Sequence, residues 1–273
     1  MPKTMNKKRQ VIENQRSLRL IKTMIKLALL EITKATVIEE VWSIYTKVMR
    51  DFGFDRIIYG RTRYRSGTNL GDPADFLVLS NHDPEYVEYF VDQERYLDSP
   101  MFRWSFKNVG CASWSNVIEM AARGSLTKAE LEVVEMNRQF NVNAGYTVSF
   151  PAISHRFKSS ASLSARADLS QAEVDALWSA NSTELELLNY LFDLKISTLP
   201  HFSKNLALTK RQREVLEWIG DGKTTQDTAI ILGLTPATVE KHLRLARESL
   251  NVDTTAQAVL KAAFLNQMFL VEN

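Results

Sequence analysis

Apolar residues recur along this chain with two different periods, and the order of those periods divides it in two. From about 17 to 33 and from 36 to 52 they return every third or fourth residue, the helical spacing. Leu20, Met24, Leu27 and Ile32 mark the first run, and Val41, Trp42, Tyr45, Val48 and Phe52 the second. Short β-type runs come next at 56–63 and 76–79, around turn residues Ser66-Gly67 and Gly71-Asp72-Pro73. Helical spacing returns over 84–96, 115–122 and 127–140, and a second strand pair reads at 145–151 and 160–165. The stretch 170–197 is one long helical pattern, with Ser170 as its cap and Glu173 three residues on. Strands alternating with helices in this order predict an α/β domain over 17–198, an antiparallel sheet sandwiched by helices. All periodicity stops at 199–205, which reads as an interdomain linker.

Beyond it, from 206 to 270, every pattern is helical. Thr209 with Gln212 forms a capping box before a helix carrying Val215, Leu216, Trp218 and Ile219, which stops at Gly220-Asp221-Gly222. Thr224 caps the next helix, whose expected apolar face is Ala229, Ile230 and Leu232, ended by Gly233. Thr235 followed by Pro236 is an N-cap with proline at the first helical position, where a missing N–H costs nothing. The third helix spaces Val239, Leu243, Ala246 and Leu250 on one inward stripe. A last helix carries Ala256, Val259, Leu260 and Ala263. Two helices joined by a Gly-Leu turn are the layout of a helix-turn-helix, so the second domain is expected to be an all-α four-helix helix-turn-helix domain that binds double-stranded DNA.

The burial of one stripe assigns the opposite face. Ala237, Glu240, Lys241 and Arg244 point outward near the start of the third helix, the end that enters the major groove, with Thr235 and Thr238 beside them. Lys241 and Arg244 donate to guanine O6/N7 or to phosphate, and Glu240 accepts from cytosine N4. Lys223, Thr224 and Thr225 open the preceding helix, whose free N–H groups and positive dipole end suit a phosphate. Composition adds little here. From 201 to 273 there are nine Lys/Arg against eight Asp/Glu, so the cations matter by position and not by number.

The chain has 273 residues, 45% hydrophobic and 24% charged, with a formal net charge of +2, ordinary values for a soluble two-domain protein. Its one cysteine, Cys111, allows no intrachain disulfide and suits a reducing cytoplasm. Residues 1–16 are polar and basic and read as a disordered arm; Lys22 and Lys26 interrupt the more apolar stretch after it, so no signal peptide is expected. No run of ~20 apolar residues is present to span a membrane. Enzyme chemistry is not expected, because there is no glycine-rich phosphate loop, no Cys/His ligand cluster and no nucleophile elbow, and the four histidines are scattered. No cofactor or metal is called for. What the first domain does have is aromatic density: Tyr86, Tyr89, Phe90, Tyr96, Phe102, Trp104, Phe106 and Trp114 fall within about thirty residues. As a set between two strand pairs they can line an apolar small-molecule pocket with a few polar tips.

Two blocks of sequence resemble a known family. Leu208-Thr209, Glu214-Val215-Leu216, Gly222-Lys223-Thr224, Ile231-Leu232, Thr238-Val239, His242-Leu243 and Leu250-Asn251-Val252 are similar to the DNA-binding domain of the LuxR family of bacterial transcription regulators. Departures are Gln212 for Glu, Asp227-Thr228 for Glu-Ile, and Asn266 for a helix-ending Gly. Upstream, Asn81-His82-Asp83-Pro84-Glu85-Tyr86, Asp98-Ser99-Pro100, Trp114 and Gly145 resemble the autoinducer-binding domain of quorum-sensing members. That resemblance implies an N-acyl-homoserine lactone, or a related small molecule, between sheet and helices, held by Trp, Tyr and Asp with a second Trp on the lactone. Position by position, Tyr86 stands for the carbonyl-binding Trp, Phe90 for Tyr, and Ser99, with Asp98 adjacent, for the amide-binding Asp, while Trp114 and Gly145 fit. Each lost hydrogen bond to a polar ligand group changes binding by ~1 kcal/mol or more, so a small-molecule sensor of altered selectivity is expected. The reading is a ligand-responsive, cytoplasmic, homodimeric transcription regulator with Tyr86, Phe90, Asp98, Ser99 and Trp114 as ligand residues. The alternative is a ligand-independent relative acting by heterodimerisation with another regulator.

Overall fold

Five strands pair in one antiparallel sheet in the computed structural model, which describes residues 21–62, 70–71, 73–152, 154–201 and 206–270. The strands are β1 (Phe54–Thr62), β2 (Leu77–Ser80), β3 (Gly110–Ser113), β4 (Gly145–Ser149) and β5 (Lys158–Ala165), in the order β2-β1-β5-β4-β3. Antiparallel register pairs Ile58 with Ser162 and Gly60 with Ser160, and on the other side of β5 pairs Thr147 with Ser162. The first strand pair is therefore not a closed unit of its own. β5, the late strand, inserts between β1 and β4 and makes one sheet of both predicted pairs. The basic arm at 1–16, Leu20 and the turn at Ser66-Gly67 lie outside the described residues.

Helices cover both faces of the sheet. On one face lie α2 (Ile38–Asp51) and α7 (Gln171–Thr198). Their join is aromatic and hydrogen-bonded: Tyr45 stacks on Phe192 at 3.9 Å between ring centroids, Phe192 meets Tyr59 of β1 edge-on at 5.0 Å, and the buried Tyr45 hydroxyl donates to Asn189 Oδ1 at 2.6 Å. Buried phenols need such a partner. The helix α1, described over residues 21–34, buries Ile25, Ala28 and Ile32. Leu27, expected on its inward side, is instead exposed; the stripe actually buried runs 25-28-32, and Leu27 lies on the opposite side of the turn.

The second face carries α3 (Pro84–Val87), α4 (Pro100–Lys107), α5 (Ser115–Ala122) and α6 (Lys128–Gln139). Here the single helix expected over 84–96 is broken. Asp83 caps α3 by accepting from the Glu85 N–H at 2.9 Å; the chain then takes a π turn over Glu88–Asp92, passes through a left-handed Glu94 (φ 57°) and closes in a 3₁₀ turn at Arg95–Asp98. One extra residue in a turn leaves the four-residue spacing of Tyr86 and Phe90 intact, so periodicity does not register the break. The helix α4 and strand β3 have no counterpart in the sequence pattern, being short and lacking clean alternation.

The chain divides into two compact units, Met1–Ser197 and Thr198–Asn273. The second is four helices: α8 (Lys210–Gly220), α9 (Thr225–Leu232), α10 (Pro236–Ser249) and α11 (Thr255–Phe264). Capping boxes open α8 at Thr209/Gln212, α9 at Thr224/Asp227 and α11 at Thr254/Gln257. Val239, Leu243, Ala246 and Leu250 are all buried, as the 4-3-4 spacing requires. Ile230 is not: it is 79% exposed, because α9 turns Thr228, Ala229 and Leu232 inward and the residue two past Thr228 faces away. Part of the stretch expected as linker is packed into this unit. Leu199 is buried, its carbonyl accepts from Asn266 Nδ2 at 3.0 Å, and the His201 N–H donates to Leu265 O at 3.0 Å. Asn266 ends α11 in the left-handed conformation (φ 51°) that asparagine tolerates. Among the described residues no helix is long and apolar enough to cross a membrane.

Candidate functional site

Between the second face of the sheet and helices α3 to α6 lies a cavity of about 780 Å³, and four of the five expected ligand residues, Tyr86, Phe90, Ser99 and Trp114, line it together. Asp98 does not. Its carboxylate turns back along the 3₁₀ turn to Arg95, 3.5 Å away. A second chamber of about 420 Å³ shares Phe90, Ser99, Met101 and Ser162 with the first and runs on along the sheet towards Thr62 and Lys158.

Local chemistry positions each side chain. Pro84 and the Asp83 cap start α3, and the i, i+4 spacing then stacks a column of rings: His82 on Tyr86 at 4.7 Å, Tyr86 on Phe90 at 5.5 Å. Burial, with the Arg56 guanidinium adding to it, holds the His82 imidazole down to about 3, so it stays neutral at ordinary pH. Burial likewise pushes the Tyr86 phenol well above its usual range, keeping it a donor. That donor is occupied: the Tyr86 hydroxyl donates to Asn137 Oδ1 at 2.9 Å. Asn137 itself lines the cavity, and with its carbonyl engaged its amide N–H groups are the donors left for a ligand. The sequence reading missed Asn137. Its signal was the i, i+4 pairing with Val133, which lines the same wall of α6.

Trp114 follows β3 at the start of α5 and is held in place by two contacts. Its indole N–H donates to Thr147 Oγ1 at 2.9 Å, and its ring covers Gly145 on β4. A Cβ on Gly145 would stand 2.1 Å from the Leu163 carbonyl oxygen and 2.9 Å from that ring. Nothing larger than glycine fits there. Ser99 caps α4, accepting from the Phe102 N–H at 3.4 Å, a long bond that leaves its hydroxyl proton for another acceptor.

In the second unit the residues expected to meet DNA share one exposed face. Lys223, Thr224, Thr235, Ala237, Glu240, Lys241 and Arg244 are exposed, and Thr225 and Thr238 half-buried. They are pre-arranged by their own contacts. The Thr225 hydroxyl donates to Glu240 Oε1 at 2.9 Å, tying α9 to α10; Arg244 pairs with Glu248 at 2.5 Å; Thr235 and Thr238 share a hydrogen bond at 2.9 Å; and Thr224 donates to Asp227 at 2.7 Å. Lys241 is exposed on this face as well.

Residues 38–196 match the family model of the autoinducer binding domain, and residues 206–262 that of the bacterial regulatory proteins of the luxR family. The chain is 24% identical over 236 residues to the transcriptional activator protein AnoR of Acinetobacter nosocomialis, a match covering 83% of this chain and 91% of that protein. It is 26% identical over 194 residues to the transcriptional activator protein LuxR of Aliivibrio fischeri, covering 69% and 73%. The crystal structure of Escherichia coli SdiA is similar at a TM-score of 0.46 and 18% identity, across 91% of this chain and 99% of that one. With an autoinducer-binding domain followed by a luxR-type DNA-binding domain, this chain belongs to the LuxR family of bacterial transcription regulators.

Proposed function

We propose that the chain is a quorum-sensing transcription regulator that binds an acyl-homoserine lactone or related small molecule in the first unit and double-stranded DNA through α10 of the second. The observation that carries the reading is the cavity behind Tyr86, Phe90 and Trp114, whose volume of about 780 Å³ falls in the range of small-molecule sites. Asn137, Ser99 and Ser162 supply polar points of its wall, from three different elements. The working form is a homodimer, since one helix-turn-helix reads only a few base pairs and two-fold symmetry doubles the site. Its place of action is the cytoplasm, where the DNA is. The role needs neither cofactor nor catalysis.

The test is thermal. A ligand that binds only the folded state stabilises it by about 2.7 kcal/mol at a hundred times its Kd. A panel of acyl-homoserine lactones should therefore include members that raise the melting temperature of the purified chain, and Trp114→Ala should abolish the rise together with any effect of the lactone on a DNA footprint. No rise with any lactone, and a DNA footprint indifferent to cell extract, would replace this reading by a ligand-independent partner protein.

A further inference from the structure

The sheet face that floors the second chamber is polar where a saturated chain would need it apolar. β5 is the central strand, buried between β1 and β4. On its α7 side it presents Ala161 and Leu163, both fully buried in hydrocarbon. On its cavity side it presents Ser160 and Ser162, with Thr147 and Gly60 paired beside them and Lys158 at the end of the row. Thr147 already accepts from Trp114. Ser160 and Ser162 are only half-buried although they sit mid-sheet, and neither hydroxyl bonds to another described side chain. Gly60 faces Ser160 with nothing within 4 Å of where a Cβ would stand, so the space over the hydroxyls is open. Lys158, 6% exposed, is fixed by donating from Nζ to the Asn108 and Phe150 carbonyls, each at 3.1 Å. The rings of Phe76, Phe102 and Phe106 also line the chamber, together with Arg61, Asp92 and Glu94.

We propose that the ligand carries an oxygen function, a hydroxyl or a carboxylate, at the end of the tail that enters this chamber, and that Ser160, Ser162 and Lys158 select it. The inference rests on the ligand-sensing reading above. A methyl-ended tail lying here would cover two hydroxyls without replacing their water, which costs free energy for each. An acceptor at the tail end takes hydrogen bonds from them and gains from the nearby ammonium in a low-dielectric wall. The rings of Phe76, Phe102 and Phe106 hold the rest of the tail.

The probes are three homoserine lactones of equal chain length: N-octanoyl, and the same acyl chain ending in a hydroxyl or in a carboxylate. Titrated against the purified full chain, at least one oxygen-ended probe should bind about tenfold tighter than the methyl-ended one, as a hydrogen bond to a charged or well-placed donor provides. In the Ser160→Ala/Ser162→Ala double variant, and separately in Lys158→Met, that preference should fall towards parity, with circular dichroism unchanged in the double variant. Equal or tighter binding of the methyl-ended probe overturns the inference and leaves lactone sensing standing. A preference that persists in both variants overturns the assignment to these residues. If none of the three binds at millimolar concentration, the inference falls together with the lactone reading.

Discussion

Thr228 shows how much one atom can matter. It sits on the inward side of α9, fully buried, and its Oγ1 is the one buried side-chain oxygen or nitrogen among the described residues with no hydrogen-bond partner. The family resemblance expects isoleucine there. An unsatisfied buried hydroxyl costs ~1–3 kcal/mol, whereas a methyl group of the same shape costs nothing to bury. Thr228→Val should therefore raise the melting temperature of the DNA-binding unit by several degrees, given ~4–8 °C per kcal/mol for a domain of this size. Calorimetry of the full chain reads it, and an unchanged or lowered transition would mean that the hydroxyl has a use in the folded state. Gly145 makes the converse point: with the Leu163 carbonyl and the Trp114 ring where its Cβ would be, the absence of a side chain is what seats the cavity's tryptophan.

At the scale of the element, α10 carries its two tasks on two faces. The buried stripe locks it to α8 and α9, and the exposed face presents Lys241 and Arg244, the residues expected to meet DNA. Arg244 is paired with Glu248 one turn on, both side chains more than half exposed. Such a pair contributes little to stability, so exchanging it for a base edge or phosphate would cost the guanidinium little. Arg244→Ala should lower specific DNA affinity by ~1–3 kcal/mol if the contact is bidentate to a base, with helix content unchanged. Electrophoretic mobility shifts on specific and random duplexes separate the cases; equal losses on both would make Arg244 a phosphate contact. α3 is the element where local rules fail, since Asp83-Pro84 starts a helix that the π turn and the left-handed Glu94 end within ten residues.

At the scale of the molecule, apolar side chains are exposed on α7 and α11, among other described elements. On α7, Leu187 and Leu194 lie seven residues apart on one face, 52% and 60% exposed. On α11, Ala256, Leu260 and Ala263 form an exposed i, i+4, i+7 stripe, with Leu260 52% exposed. Stripes of this kind are what a symmetric helix-to-helix contact buries. Sedimentation at micromolar concentration should find a dimer, and Leu260→Glu should weaken binding to a two-half-site operator far more than to a single half-site. A monomer with and without DNA, or equal losses on both duplexes, would rule α11 out as a dimer surface.

The sequence alone determined much of what depends on neighbours a few residues away. The caps at Thr209, Thr224 and Thr235, the inward stripe of α10, the left-handed Asn266 and hence the whole helix-turn-helix come from hydrogen bonds and periodicities spanning three to eleven residues. The aromatics of the first domain were legible as a set. Their roles were not, because those depend on contacts between residues far apart in the chain: Tyr86 with Asn137 across 51 residues, Trp114 with Thr147 across 33. Only the tertiary structure decided that Ser99 and not Asp98 reaches the cavity, since a single 3₁₀ turn sends adjacent side chains in different directions. It alone also decided that β5 runs between β1 and β4, and that insertion turns an ordinary serine-rich segment into the polar floor of the second chamber.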